Sequence, residues 1–278
     1  MPRAAKIIWV IGDGTHVGKT TIATAFIRAL SRRGIPTVGF KPYASSMLKD
    51  VIDFMLEKIP NAKCALFGSD AWELSMASPL TPGELADTVA PAQLLCHPKW
   101  GSTILARTGS AATGDVEYFR SGYTASIAER PDIVELARRT GLPFADAPIV
   151  EPLNLLATPP STPQKQQRAF DHLVALGARA VVCEGGSRYL PVWPGSPHPD
   201  HVVVLLEGMV HLFPSLGVRY DAGAGATVNS IDEFFQLLVR ARAKCRSSPL
   251  YLVERERRRE MADRIVDTLI DDAGDGFP

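Results

Sequence analysis

The stretch KIIWVIGDGTHVGKTTIATAFIRAL, residues 6–30, constrains the fold more than any other part of the chain. Ile7 to Ile11 is a continuous apolar run, which marks a strand buried on both faces. Beyond Lys19 the period changes: Ile22, Ala23, Phe26, Ile27 and Leu30 share one helical face, and Gly34 stops the helix after Arg33. Between strand and helix runs a turn of Gly12, Asp13, Gly14, Thr15, His16, Val17 and Gly18. A strand feeding such a turn and then a helix N-terminus presents backbone N–H groups as an anion cradle. Lys19 supplies counter-charge for a phosphate, and the Thr20 hydroxyl, followed by Thr21, suits Mg²⁺. The turn is one residue longer than G-x-x-x-x-G-K-[ST]: that pattern wants glycine where Asp13 stands, and Gly12 comes one place earlier.

The remaining chain alternates in the same way. Strands are expected at Thr37 to Phe40, Ala178 to Cys183, Val202 to Leu206 and Leu250 to Val253. Helices are expected at Lys49 to Lys58, Asp70 to Met76, Pro131 to Thr140, Gln164 to Leu176, Ile231 to Lys244 and Glu256 to Ile270. Buried strands alternating with helices imply one α/β domain over residues 1–278, a three-layer sandwich with a mostly parallel central sheet and helices on both faces. From residue 77 to 163 prolines and short polar stretches break the pattern, and this segment is expected to form an irregular insertion or lid near the carboxyl ends of the strands. The tail, residues 271–278, is expected to fray.

Composition removes several function classes. Lys plus Arg and Asp plus Glu number 30 each, so overall charge gives no reason to expect nucleic acid or an anionic membrane as partner. Cys64, Cys96, Cys183 and Cys245 have neither C-x-x-C spacing nor a histidine at metal-ligand spacing, and read as free thiols of a reducing cytoplasm. MPRAAK leads into the first strand without an apolar leader, and no apolar run approaches the ~18 residues that span a bilayer. A cytoplasmic location is the expectation.

Three further residues carry candidate chemistry. Glu184 ends an apolar strand and is followed by Gly185 and Gly186, the position where open α/β sheets place their ligands. Lys41 closes the second strand before Pro42, either as a solvated strand end or as a second cation at the same edge. Asp70 opens a helix, as an N-cap or as a metal ligand.

Taken in order, GDGTHVGKTT, FKPYASS, GSDAWEL, TVAPAQLL and AVVCEGGS resemble landmarks of the dethiobiotin synthetase family, a branch of the P-loop NTPases whose loop is similar to G-T-D-T-x-V-G-K-T. The longer turn is thus a shared feature of that family. The resemblance implies that Gly12 to Thr21 with Glu184, Gly185 and Gly186 hold ATP, that Thr20, Asp70 and Glu184 gather Mg²⁺, and that Thr15, Lys19, Lys41 and Ser45 act on the substrate. It also implies a homodimer and a reaction in which CO₂ or bicarbonate carboxylates a diamine or amino substrate, ATP phosphorylates the carbamate, and a second amine closes a cyclic urea.

The sequence departs from that pattern at Gly14 and His16, which stand where the family has acidic residues, and at Arg188, inserted in the glycine segment. Beyond Gly186 no adenine-binding N-D-x-x-P segment follows. Two other readings therefore stand beside the ligase: a small-molecule or nucleoside kinase, suggested by PDHVVVLLE, and a non-catalytic nucleotide switch.

Overall fold

Strand β1, Lys6–Gly12, is buried on both faces as its composition requires, with Ile8, Val10 and Ile11 wholly inaccessible. The computed structural model describes residues 5–14, 16–58, 66–96, 103–121, 130–140, 147–150, 161–186, 190–206, 208–214, 245–249, 257–274 and 277. Within these, β1 leads to helix α1, Lys19–Arg32, then β2, Thr37–Phe40, and β3, Ala44–Met47. Helices α2, Leu48–Lys58, and α3, Ser69–Met76, follow, then a short α4, Ala86–Val89. Next come β4, Ala92–Cys96, β5, Thr103–Thr108, β6, Glu117–Arg120, and helices α5, Pro131–Thr140, and α6, Thr162–Ala175. The chain then gives β7, Ala180–Glu184, β8, His201–Leu206, β9, Met209–Pro214, β10, Arg246–Pro249, and α7, Arg258–Ala273. The strand expected at Leu250 to Val253 and the helix expected at Ile231 to Lys244 lie outside the described residues.

The fold is α/β with two mixed sheets. Six strands run in the order β10-β9-β8-β1-β7-β2, and four in the order β3-β4-β5-β6. The pairs β8–β1, β1–β7 and β7–β2 are parallel, as expected of buried strands joined through helices. The expectation of a mostly parallel sheet is corrected beyond β8. Leu206 pairs with Met209, so the link is too short for the dozen or so residues of a parallel crossover, and the chain returns antiparallel as β9, which β10 then joins antiparallel.

Alternation along β2 shows what covers this sheet. A Cβ on Gly39 would meet Leu74 of α3 at 2.9 Å and Ile27 of α1 at 3.0 Å, so those helices press on that face. The adjacent Phe40 points the other way and meets Phe170 of α6 and Trp193, ring centroids 5.6 and 5.0 Å away. Helix α7 packs along α1, tied by Arg28–Asp263, Arg32–Asp267 and Arg33 with Asp267 and Asp271. The exposed pairs made by Arg32 and Arg33 contribute little, of order 0–1 kcal/mol each, while Arg28–Asp263 is partly buried. Apolar burial contributes more: Phe277 is buried, stacks on Phe26 at 5.9 Å and lies 4.3 Å from the His201 ring. The tail expected to fray is thus helical to Ala273 and anchored at Phe277.

Residues 77–163, expected as an irregular insertion or lid, contain β4, β5 and β6 of the second sheet. The polar residues inside β4 and β5 that obscured these strands are buried. Arg107, next to the last residue of β5, is inaccessible and donates to the carbonyls of Leu66 at 2.7 Å, Asp87 at 3.1 Å, Ala90 and Gly109. Gln93 of β4, also inaccessible, accepts from Gly68 N–H at 3.0 Å.

Candidate functional site

The glycine turn folds back on its own strand because Gly12 leaves room for it. A Cβ there would sit 2.9 Å from Val17 Cγ2 and 3.1 Å from the Leu205 carbonyl oxygen. Gly14, His16 and Gly18 all have positive φ, 114°, 58° and 94°, which curls the turn around its backbone N–H groups. Gly18 is the N-cap of α1, without a side-chain cap and with no acidic residue in the first turn, so the positive end of the helix faces the turn. Lys19 reaches back to donate to the Gly14 carbonyl. Burial holds its ammonium below the usual lysine range, and Glu184 opposes that effect. Asp13 and His16 are exposed on the rim, while Val17 and Thr21 are partly buried. Thr15 lies outside the described residues.

The parallel register carries three other sequence-predicted residues to the same edge. Val10 of β1 faces Glu184 of β7, and Gly185 N–H donates to the Val10 carbonyl at 2.9 Å. Phe40 of β2 faces Cys183, so Lys41 arrives one residue later beside Glu184. Its ammonium donates to Glu184 Oε1 at 2.7 Å and to Asp70 Oδ2 at 2.5 Å, and the Thr20 hydroxyl donates to Glu184 Oε1 at 3.0 Å. Glu184 is 1% exposed, Lys41 6% and the Asp70 side chain 43%, so the cluster is buried at one end and open at the other. Asp70 is not the cap of α3, since Gly68 occupies that position; its carboxylate belongs to Lys41.

The charges follow from this packing. Burial would lower the Lys41 pKa, but Glu184 and Asp70 outweigh it and raise it, so Lys41 stays a cation. Burial would raise the Asp70 pKa, and Lys41 overrides it, holding Asp70 below the usual carboxylate range. For Glu184 burial wins, pushing the carboxyl up against the pull of Lys41.

Ser45 is not brought to this cluster. It is exposed on β3, where its hydroxyl lies 3.4 Å from Cys96 Sγ. Two supporting residues escaped the sequence reading because each looks like an ordinary polar surface residue. Gln93 fixes Gly68, and hence the start of α3 that carries Asp70. Gln166 of α6, wholly buried, donates to the Pro42 carbonyl at 2.8 Å and anchors the backbone just after Lys41.

A divalent cation suits this donor set. Glu184 Oε2 is buried without a hydrogen-bond partner, and a buried carboxylate oxygen is costly unless a cation or donor meets it. Among the described residues no three His, Cys, Asp or Glu cluster as a metal cage. Two carboxylates and a hydroxyl beside the glycine turn are hard oxygen donors of the kind a divalent cation could use. No helix among the described residues is long and apolar enough to cross a membrane. Comparison with protein-family models, with curated proteins and with solved structures gave no match.

Proposed function

We propose that the protein is a P-loop enzyme of the three-layer sandwich type, an ATP- and Mg²⁺-dependent ligase resembling dethiobiotin synthetase. It carboxylates a diamine or amino substrate with CO₂ or bicarbonate and closes a cyclic urea through a carbamate phosphate. The observation that carries this reading is the meeting of Lys41 with Thr20, Asp70 and Glu184 beside the glycine turn. A simple nucleotide switch needs the cradle, Lys19 and a metal site, and has no use for a second buried ammonium at the acceptor end.

Each residue has a physical task in this scheme. Backbone N–H groups of Gly14 to Gly18 and the first turn of α1 bind the phosphates, and Lys19, drawn away from Gly14 O, neutralises them. Thr20, Asp70 and Glu184 hold Mg²⁺, which supplies charge stabilisation at the transferring phosphoryl group. Lys41 lies on the acceptor side, where an ammonium stabilises the carbamate and the charge that develops on phosphorylation. Because its ionised form is favoured by two carboxylates, Lys41 acts as a fixed cation and not as a proton donor. A cytoplasmic homodimer is part of the same proposal.

The test is ADP release in the presence of a vicinal diamine, with and without bicarbonate. Release that needs both is the expected result. Release with an alcohol or nucleoside acceptor and no bicarbonate would assign the site to a kinase.

A further inference from the structure

Lys41 does more in this structure than stand ready for an acceptor. Its ammonium bridges Glu184 Oε1 and Asp70 Oδ2, at 2.7 and 2.5 Å, and these are the two carboxylates proposed above for the metal. The Thr20 hydroxyl completes the ring through Glu184 Oε1. A monovalent cation of this protein's own therefore sits among the three side chains proposed for Mg²⁺.

We infer that Lys41 is a built-in counter-ion for the metal site, displaced when Mg²⁺ arrives with the nucleotide, so that metal entry and delivery of Lys41 to the acceptor are one event. The inference rests on the nucleotide reading above. Ammonium and metal carry like charge and want the same oxygens in a buried setting, so both cannot keep them. Glu184 Oε2, buried and without a partner, gives the metal a first point of attachment before Lys41 has left. Only the side chain needs to move. The Lys41 N–H is held by the Val89 carbonyl at 2.8 Å, and the next carbonyl, that of Pro42, is held by Gln166 at 2.8 Å. The backbone thus acts as a fixed pivot from which the long side chain swings. The device keeps Glu184 and Asp70 compensated in the empty protein and orders the reaction: metal nucleotide first, then an anionic acceptor that meets the released ammonium. Binding coupled in this way is reciprocal, so removing the ammonium must strengthen metal binding.

The test uses Mn²⁺, followed by its electron-spin resonance signal, on nucleotide-free full-length protein at mildly alkaline pH. Lys41→Met is expected to bind Mn²⁺ about tenfold tighter than the parent, or more, the usual size of a coupling between sites. Lys41→Arg, which keeps the cation, is expected to bind no tighter than the parent. Equal or weaker Mn²⁺ binding by Lys41→Met overturns the inference. The parent itself gives a second readout that does not depend on a variant folding: the ¹⁵N-ammonium signal of Lys41. It is expected to persist with a non-hydrolysable ATP analogue alone and to be lost or shifted when Mg²⁺ is added. An unchanged signal with metal and analogue bound overturns the exchange. Failure of the analogue to bind at all would remove the nucleotide reading, while the Mn²⁺ comparison would still decide the exchange by itself.

Discussion

Removing the Lys41 ammonium tests the charge cluster at its centre. In Lys41→Met the carboxylate of Glu184, 1% exposed, loses the cation that hydrogen-bonds it and keeps the Thr20 hydroxyl and the more distant charge of Lys19. Breaking a buried ion pair on one side costs about 3–5 kcal/mol, because the remaining charge is left uncompensated. Asp70, with 43% of its side chain exposed, returns to water and adds little. The cost therefore belongs to Glu184, and the double variant Lys41→Met, Glu184→Gln should recover most of it, since a neutral amide still accepts from Thr20. Urea unfolding of the parent, both single variants and the double variant gives the coupling energy, expected at about 2–4 kcal/mol as part of that cost. The pH dependence has a definite sign. Glu184 has a raised folded pKa, so its contribution is fully present below the unfolded carboxylate range and is lost as pH rises through the folded value. Without Lys41 that loss should deepen, making Lys41→Met relatively more stable towards acid. Losses of the two single variants that add within about 0.5 kcal/mol would show that the groups do not interact, and would refute the cluster as described.

Three other outcomes follow from the same geometry. Lys19→Ala should abolish binding of an ATP analogue, measured by calorimetry, while leaving the circular dichroism spectrum unchanged, because its ammonium is engaged at the Gly14 carbonyl of the turn and alanine keeps the helix. Gly12→Ala should cost about 1–3 kcal/mol in urea unfolding and weaken analogue binding, since its methyl would press on Val17 and the Leu205 carbonyl; full retention of affinity would mean that the turn yields freely. Asp70 has a depressed folded pKa, so its stabilisation is present above its ordinary value of 3.8 and is lost as pH falls through the lower folded value; Asp70→Asn should flatten that acid limb in a pH series of melting temperatures.

The residue pattern alone was sufficient where chemistry is local. The apolar run of β1, the change of period at α1 and the glycines between them specify strand, turn and helix from short-range sterics and burial. β2, β7 and β8 were legible for the same reason, being short apolar runs with one clear boundary, and so was the placing of Lys41 and Glu184 at strand ends. The second sheet was not legible. Its strands carry Gln93 and Arg107 at inaccessible positions, and a polar residue reads as surface unless its partners are known. Those partners, Gly68 and Leu66 among them, are distant in sequence.

What only tertiary structure decided is which of the marked residues meet. Nothing in the sequence separates Ser45 from Lys41, four residues earlier, yet one faces Cys96 on the second sheet and the other bridges two carboxylates of the first site. The turn to antiparallel pairing at β9 and the docking of Phe277 on Phe26 were likewise undetermined by local pattern. The physical reason is common to all three. Local pattern sets period and exposure over a few residues, whereas the partner of a charged or aromatic side chain is fixed by strand order and register, which bring Glu184 to Lys41 across 143 positions of the chain.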